Sequence, residues 1–144
     1  MEPLPLYIPV ILGTTRMGRM SAHVARLLTE EVSKQAGVET DFIDIACLPL
    51  PTNDAGEAIK EGAFSSKMDR GDGLVIVAPE YNHGYNGLLK HVLDSCLKEY
   101  IHKPSACHAR TWIGHDLLGR ELFYCAEVVR RQRKAARTRV RSAH

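Results

Sequence analysis

Residues Gly73–Lys90, which read GLVIVAPEYNHGYNGLLK, carry the clearest signal of the fold class. The stretch begins as a short apolar run, stops at Pro79, passes through a segment rich in Gly and Asn, and continues as an apolar helical pattern. This order is typical of a buried parallel strand that leads through a loop into a helix. In open α/β sheets, ligands bind at the carboxyl ends of such strands. The sequence therefore predicts an α/β fold with a ligand site directly after this strand.

The loop after the strand carries side chains that suit a flat, polar ligand. Tyr81 and Tyr85 offer aromatic faces, Asn82 and His83 offer hydrogen-bond donors and acceptors, and Gly84 leaves room for a ligand beside the backbone. From composition alone, an ordinary surface loop whose polar residues cap the next helix is an equal alternative.

A second loop, Gly13–Ser21, joins the first predicted strand to the first predicted helix. Doubly wound folds present free backbone N–H groups and a helix N-terminus to an anion at this place. Hydroxyls and a guanidinium in this loop suit a phosphomonoester, because a dianion needs several donors at once. The spacing matches neither GxGxxG nor the Walker loop, which argues against a dinucleotide fingerprint or an ATP site. The alternative is an ordinary βα loop with exposed arginines.

Hydrophobic periodicity predicts strands that alternate with helices along the chain. The order βαβαβ, followed by a helix, indicates a parallel sheet with helices on both faces, because parallel crossovers are right-handed. Pro9 is expected to make the first strand irregular. The predicted strands are Tyr7–Gly13, Val38–Ile45, Gly73–Ala78 and Ala109–Ile113, and the predicted helices are Ser21 to about Gly37 with Ser21 as N-cap, about Ala58–Asp69, Gly87 to about Tyr100 and 116 to about 140.

Both loops resemble motifs of the NADPH-dependent FMN reductase family. Residues 79–90 resemble its PEYNxGxPGxLK signature at nearly every fixed position, and residues 13–21 resemble its GSxRxxSxN loop. Asn86 stands where the family has proline, and this change is expected to loosen the entry of the following helix slightly. Arg19 stands where the family has serine; it can contact phosphate, but not with the geometry of a serine. The resemblance covers about residues 6–104.

The resemblance implies a flavodoxin-like, doubly wound parallel sheet and an FMN-dependent oxidoreductase that takes hydride from NADPH. Electrons would pass through the bound FMN to free flavin, a quinone or a similar small-molecule acceptor. Because the flavin performs the redox chemistry, no catalytic residue and no metal ligand is expected from the protein. The expected cofactor-binding residues are Thr14, Arg16, Ser21, Pro79, Glu80, Tyr81, Asn82, His83 and Gly84. Family members commonly form homodimers or homotetramers through the helix after the flavin loop, and the same is expected here.

Length and composition indicate a globular domain. The chain has 144 residues, of which 44% are hydrophobic and 25% charged, which is enough for one buried core. It has no apolar run of roughly 20 residues and no basic signal-type N-terminus, so a cytoplasmic protein without a membrane partner is expected. The cysteines at positions 47, 96, 107 and 125 form no Cys-x-x-Cys pair, which indicates neither a zinc site nor a redox dithiol.

The end of the chain departs from the family pattern. After Pro104 the family has a buried strand and a Gly/Ser-rich third loop, and residues 105–144 carry no counterpart of that loop. Residues 130–144 hold seven Lys/Arg and no acid, giving +7, against −5 for residues 1–129. The sequence therefore predicts a flavodoxin-like FMN-binding core, residues 1–104, and a divergent, helical and basic C-terminal segment of the same domain, residues 105–144.

This divergence leaves alternatives open. The sheet is expected to be incomplete at its C-terminal strands, and a shift of reading frame after Lys103 would explain the change, because a shifted frame can encode Ala-Val-Gly-Met there. The chain would then be a flavin-binding module without efficient turnover, or a truncated or frameshifted product with little activity. A basic end can bind nucleic acid, but a solvated tail is the commoner role, so nucleic acid is not the expected partner.

Overall fold

The structure, a computed structural model, describes residues 4–50, 62–101, 103 and 105–110. Strands and helices alternate within these ranges. The strands are β1 (Leu6–Tyr7), β2 (Val10–Leu12), β3 (Val38–Glu39), β4 (Phe42–Asp44), β5 (Leu74–Pro79) and β6 (Ser105–Arg110), and the helices are α1 (Ser21–Ser33), α2 (Gly62–Arg70) and α3 (Gly87–Asp94). Short 3-10 turns span Ile45–Cys47 and Lys98–Tyr100.

The main sheet consists of parallel strands in the order β4-β2-β5-β6. β2 lies between β4 and β5, with Leu12 beside both Asp44 and Val77. Because the strands are parallel and in register, the loops that follow β2, β4 and β5 leave the sheet from one edge. This is the edge at which a doubly wound sheet binds its ligand.

The first predicted strand is present but is interrupted at Pro9, as the sequence predicts. β1 pairs with β3 and β2 pairs with β4, and the offset between paired residues is the same on both sides of the break. At the break the Thr40 hydroxyl donates a hydrogen bond to the Ile8 carbonyl over 2.7 Å. A side chain therefore contributes a link at the place where proline has no N–H to offer.

Within the described ranges the buried side chains form two clusters, one on each face of the sheet. Leu12 and Val77 belong to the cluster that includes α1, whereas Ile11 and Ile76 belong to the cluster that includes α2 and α3. Neighbouring residues of one strand thus pack on opposite faces, and both faces are covered by helices. This explains why the strands read as continuous apolar runs instead of alternating ones.

A fourth main-sheet strand lies beside β5, so the sheet does not end at its third strand. β6 pairs with β5 from Leu74–Ser105 to Pro79–Arg110. It begins four residues before the predicted strand Ala109–Ile113, which was placed by apolar content. The segment forms a strand because it pairs with the free edge of β5, although its own strand propensity is weak. Lys103 directs the chain into β6, because its ammonium group donates to the Met68 carbonyl over 2.7 Å at the end of α2.

The helix predicted from Gly87 to about Tyr100 ends earlier, at Asp94. Leu97, expected on its apolar face, is 74% exposed instead. The chain turns because Glu99 is buried, and its carboxylate accepts hydrogen bonds from Ser65 Oγ over 2.8 Å and from the Leu97 N–H over 2.9 Å. A buried carboxylate with partners on α2 therefore sets the path that periodicity alone assigned to a longer helix.

No helix among the described residues is long and apolar enough to cross a bilayer. The predicted helix from 116 to about 140 lies outside the described residues, and so does the basic end of the chain.

A polar network lies at the amino edge of the sheet, opposite the edge that carries the two loops. The Tyr7 hydroxyl donates to Asp41 over 2.7 Å, and Lys67 Nζ lies 3.1 Å from the same carboxylate. Asp72 accepts from the Tyr7 N–H over 2.9 Å, and its own N–H donates to the Tyr7 carbonyl over 2.8 Å. The Arg70 guanidinium lies 4.1 Å from the centre of the Tyr7 ring. These contacts fasten the starts of three strands.

Two groups of this network have shifted acidity. The Tyr7 hydroxyl and then Lys67 hold the pKa of Asp41 below its usual value. Burial and the hydrogen bond to Asp41 raise the pKa of Tyr7. The folded state therefore favours an ionised Asp41 beside a neutral Tyr7.

The Asp41 carboxylate should stabilise the fold above the ordinary carboxyl pKa, at about pH 4, and lose that contribution as the pH falls through its lowered pKa. Asp41→Asn should therefore reduce the free energy of unfolding at about pH 7 and have little effect at about pH 2. Urea denaturation across this range measures the difference. Asp69→Asn, which removes an exposed carboxylate from α2, is the matched control for loss of one charge. If the free energies of unfolding of the parent and Asp41→Asn differ equally at about pH 2 and about pH 7, the lowered pKa of Asp41 is contradicted.

Candidate functional site

The two loops singled out from the sequence leave the sheet side by side. One follows β2 and the other follows β5, and the Gly13 N–H donates to the Val77 carbonyl over 2.8 Å. We call residues 13–21 the phosphate loop and residues 79–84 the ring loop, after the ligand groups that the sequence assigns to them. All nine predicted cofactor-binding residues lie in these two loops, at the carboxyl edge of the sheet.

Asn86 joins the two loops directly. Its side-chain oxygen accepts a hydrogen bond from the Leu89 N–H over 2.9 Å, and so caps the N-terminus of α3. Its side-chain nitrogen donates to the carbonyl of Gly13 at the end of β2. Since one oxygen acceptor and one nitrogen donor each meet a suitable partner, the orientation of the amide is determined by its surroundings.

The expectation that loss of proline loosens the entry of α3 is therefore wrong. Asn86 has the extended backbone of an N-cap, with φ −72° and ψ 152°, and supplies the side-chain acceptor that proline lacks. The sequence contained a usable signal, because asparagine directly before an apolar helical run is a common N-cap. The bond to Gly13, 73 residues away, carries no local signal.

Close packing reinforces this junction. A Cβ added to Gly13 would lie 2.7 Å from Cδ2 of Leu89 and 3.1 Å from Cβ of Ala78. The first turn of α3 thus rests on the end of β2, where only glycine leaves enough space. This contact sets the distance between the phosphate loop and the start of α3.

Thr14, the second residue of the phosphate loop, is 2% exposed. Its hydroxyl accepts a long hydrogen bond of 3.4 Å from the Arg16 N–H. Gly18 has a φ of 65°, a conformation that glycine adopts without strain, and turns the chain toward α1. Arg16 is exposed, and no ion pair to it is found among the described residues.

Ser21 does not cap α1, contrary to the prediction. It is the first residue of the helix, Met20 occupies the cap position, and no side chain accepts a hydrogen bond there. A polar cap is therefore missing from the helix end that faces the loop. The sequence pattern could not separate the cap from the first helical residue, since both positions suit serine.

Arg19, the other departure from the family pattern, folds back into the protein. One of its terminal nitrogens donates to the Thr14 carbonyl, and the other pairs with Asp44 at the end of β4. The side chains of Arg19 and Asp44 are 20% and 17% exposed. Asp44 also accepts from the Ala46 N–H over 2.9 Å. Sequence reasoning treated Arg19 only as a contact to phosphate and did not single out Asp44.

The ring loop contains a tight turn. Tyr81 and Gly84 exchange two backbone hydrogen bonds of 2.9 Å each, and the central residues Asn82 and His83 have φ values of 48° and 62°. Two left-handed residues in succession are typical of a type I′ turn, for which asparagine and glycine are the common residues. Strained backbone of this kind gathers at ligand sites.

The side chains of the ring loop face outward. His83 is almost fully exposed, and its Nδ1 lies 3.5 Å from the Glu80 carboxylate. Glu80, one of the expected cofactor-binding residues, thus approaches the His83 side chain. A Cβ added to Gly84 would meet only the Tyr81 carbonyl oxygen, at an ordinary 3.7 Å, so the packing of the protein does not itself demand glycine there. Pro79 is the last residue of β5 and is half-buried.

Residues 6–115 match the family model described as NADPH-dependent FMN reductase. The chain belongs to this family. The match extends past residue 104, where the sequence resemblance was expected to end. It confirms the predicted family, whose description names FMN and NADPH.

Several curated relatives are similar in sequence. The chain is 34% identical over 93 residues to 2-hydroxy-1,4-benzoquinone reductase of Burkholderia sp, covering 63% of this chain and 50% of that protein. It is 30% identical over 107 residues to an NAD(P)H-dependent FMN reductase of Schizosaccharomyces pombe, covering 67% and 54%. The chain spans about half the length of the curated relatives that it matches.

Solved structures support the fold. An apo NADH:FMN oxidoreductase, EMOB, superposes with a TM-score of 0.60 at 22% identity, covering 83% of this chain and 64% of that one. FerB, an NAD(P)H:acceptor oxidoreductase from Paracoccus denitrificans, superposes with a TM-score of 0.60 at 19% identity, covering 83% and 72%. These likenesses confirm the predicted flavodoxin-like α/β class.

The junction between β2 and α3 can be tested by a pair of glycine substitutions. Gly13→Ala should reduce the free energy of unfolding by about 1–3 kcal/mol, because its Cβ would press on Leu89 and Ala78. Gly87→Ala is the control: no atom lies within 4 Å of its added Cβ, and the change should be neutral or stabilising by about 0.4–1 kcal/mol. Urea denaturation of both variants compares them, and equal effects would contradict the close packing.

Proposed function

We propose that this chain binds FMN across the two loops, with the phosphate on residues 13–21 and the isoalloxazine ring against residues 79–84. The observation that carries the proposal is the bond from Asn86 to Gly13, which places the two family motifs side by side at the carboxyl edge of the sheet. One ligand can then reach both loops. A planar ring with a phosphate at the end of a side chain has that shape.

The phosphate loop supplies the donors that a phosphate needs. Thr14 and Ser21 contribute hydroxyls, and Arg16 offers an exposed guanidinium without an ion-pair partner among the described residues. The N-terminus of α1, which no side chain caps, adds the positive end of a helix dipole. Charge-assisted hydrogen bonds of this kind are roughly twice as strong as neutral ones.

The ring loop supplies a preformed edge for the flavin. Its turn is closed by backbone hydrogen bonds, so Asn82, His83 and Gly84 stand at the edge of the sheet with little freedom of the backbone. Pro79 and Glu80 set the direction in which the turn leaves β5. Tyr81 offers an aromatic surface beside it.

Bound FMN would supply the redox chemistry, that is, transfer of hydride from a nicotinamide and of electrons to an acceptor. We assign to the chain the tasks of binding and orienting the ring, and no residue needs to act as acid or base at the transferring atom. The two curated relatives point to quinones or flavins as the class of acceptor, since their names record such reactions. NADPH is the proposed hydride donor.

Self-association through α3 and a cytoplasmic location complete the proposal. Tyr85, just before α3, and Leu88, in its first turn, are 52% and 37% exposed and so are available for contact with a second copy. A homodimer or homotetramer would cover them. Nucleic acid is not a proposed partner.

A flavin-binding module without efficient turnover is the second candidate. It is favoured by the extent of the sequence match, which covers only about half the length of the curated relatives. The predicted boundary at residue 104 and the proposed change of reading frame after Lys103 stay predictions, because residues 111–144 lie outside the described residues. Sequencing the coding DNA around Lys103 decides the latter.

Flavin titration followed by reduction separates these candidates. The full chain is titrated with FMN, FAD and riboflavin while flavin fluorescence is recorded, and NADPH is then added under anaerobic conditions. Preferential binding of FMN followed by bleaching supports the reductase, and binding without bleaching supports the module. Absence of binding by all three flavins refutes the proposed function.

Arg16→Ala should weaken FMN binding by about tenfold to a hundredfold, because it removes a charge-assisted contact worth about 1.5–3 kcal/mol. Riboflavin, which has no phosphate, should bind the variant and the parent alike. Lys34→Ala is the control, because Lys34 is an exposed cation beyond the far end of α1 and its loss changes the net charge equally. Calorimetric titration of both flavins measures the effect. If Lys34→Ala weakens FMN binding as much as Arg16→Ala does, the effect comes from net charge and not from a direct contact between Arg16 and the phosphate.

A further inference from the structure

Two side chains that depart from the family motifs hold successive carbonyl groups at the start of the phosphate loop. Asn86 donates to the carbonyl of Gly13, and Arg19 donates to the carbonyl of Thr14. We propose that Asn86 and Arg19 are positioning residues that fix the phosphate loop in its binding conformation before the flavin arrives. This inference rests on the proposed function and assigns roles to residues outside the predicted contact set.

Fixing a carbonyl also fixes the N–H of the same peptide plane. The peptide bonds of the described chain contain no cis form, so each N–H points opposite to the preceding carbonyl. Asn86 thereby turns the N–H of Thr14 away from α3, and Arg19 turns the N–H of Thr15 away from its own guanidinium. Two consecutive donors are set by two side chains from different parts of the chain.

These two donors have no acceptor among the described residues. The Gly13 N–H is used by Val77 and the Arg16 N–H by the Thr14 hydroxyl, whereas the N–H groups of Thr14 and Thr15 donate to none of the described atoms. Thr14 is also 2% exposed, and a buried donor is costly unless it is bonded. A phosphate oxygen would supply acceptors for such donors.

Arg19 acts from within the protein and does not reach outward as a free cation. Its second nitrogen pairs with Asp44, and both side chains are about four-fifths buried. Asp44 is itself fixed by the Ala46 N–H. Arg19 therefore links Asp44, at the end of β4, to the carbonyl of Thr14 in the phosphate loop. Both terminal nitrogens of its guanidinium already have a protein acceptor.

Holding a loop in its bound conformation raises affinity, because less conformational freedom is lost on binding. Only a ligand with a group that contacts this loop gains affinity in this way. Loss of the Asn86 or the Arg19 hydrogen bond should therefore weaken the binding of FMN, which has the phosphate, and leave the binding of riboflavin nearly unchanged. A purely structural role would lower the affinity for both flavins or for neither.

Three variants of the full chain separate these roles. Asn86→Ser keeps an oxygen that can cap α3, but its short side chain does not reach Gly13 as the amide does. Arg19→Lys keeps the charge and loses the fork that joins Thr14 to Asp44. Asp44→Asn keeps the acceptor for the Ala46 N–H and loses the charge that holds Arg19. Dissociation constants for FMN and riboflavin are measured for each variant, with thermal denaturation to confirm folding.

Each variant is expected to weaken FMN binding by about tenfold, the equivalent of one hydrogen bond, and to change riboflavin binding by less than about threefold. An equal loss for both flavins would overturn the proposal. Asp44→Asn adds a sharper comparison. If Arg19 were a direct ligand of phosphate, releasing it from Asp44 would leave FMN binding unchanged or strengthen it, and that result also overturns the proposal.

A second readout decides the matter if the parent binds no flavin. Amide hydrogen exchange is measured on the parent, Asn86→Ser and Asp44→Asn without ligand. Faster exchange across residues 13–18 in both variants, with β5 unchanged, supports the bracing role even where the proposed function has failed. Unchanged exchange in this loop shows that the two side chains do not hold it.

Discussion

The hydrogen bond from the Asn86 side chain to the Gly13 carbonyl is the constraint on which the arrangement of the site depends. It ties the start of α3 to the end of β2, and the same amide caps the helix. Gly13 makes this contact possible, because any Cβ there would press on Leu89. The two loops that follow β2 and β5 are thereby held as one surface, at the edge where parallel sheets bind ligands.

The contacts in the remainder of the sheet leave its carboxyl edge open to a ligand. Its amino edge is fastened by Tyr7, Asp41 and Asp72, and its two faces are covered by helices. What remains at the carboxyl edge are backbone donors, short polar side chains and one strained turn, which suits a chain that binds and orients a cofactor and leaves the chemistry to it.

Local sequence predicted the elements whose signals are local. The apolar run of β5, the break at Pro9 and the phosphate loop between β2 and α1 follow from composition and periodicity, and the structure has them. The end of α3 was misplaced because Leu97 continues a helical pattern while the buried Glu99, through Ser65, pulls the chain away. The bond from Asn86 to Gly13 and the pair of Arg19 with Asp44 were missed for the same reason, since these residues are distant in sequence. Contacts between distant residues are not visible in a single sequence.

If the phosphate loop and the ring loop form one FMN site, both must respond to the same binding event. This can be measured by nuclear magnetic resonance of the ¹⁵N-labelled full chain titrated with FMN. We expect the backbone N–H signals of Thr14 and Thr15 and those of residues 81–84 to shift together, with one dissociation constant. Shifts confined to one loop, or two loops that saturate at different FMN concentrations, would contradict a single FMN site.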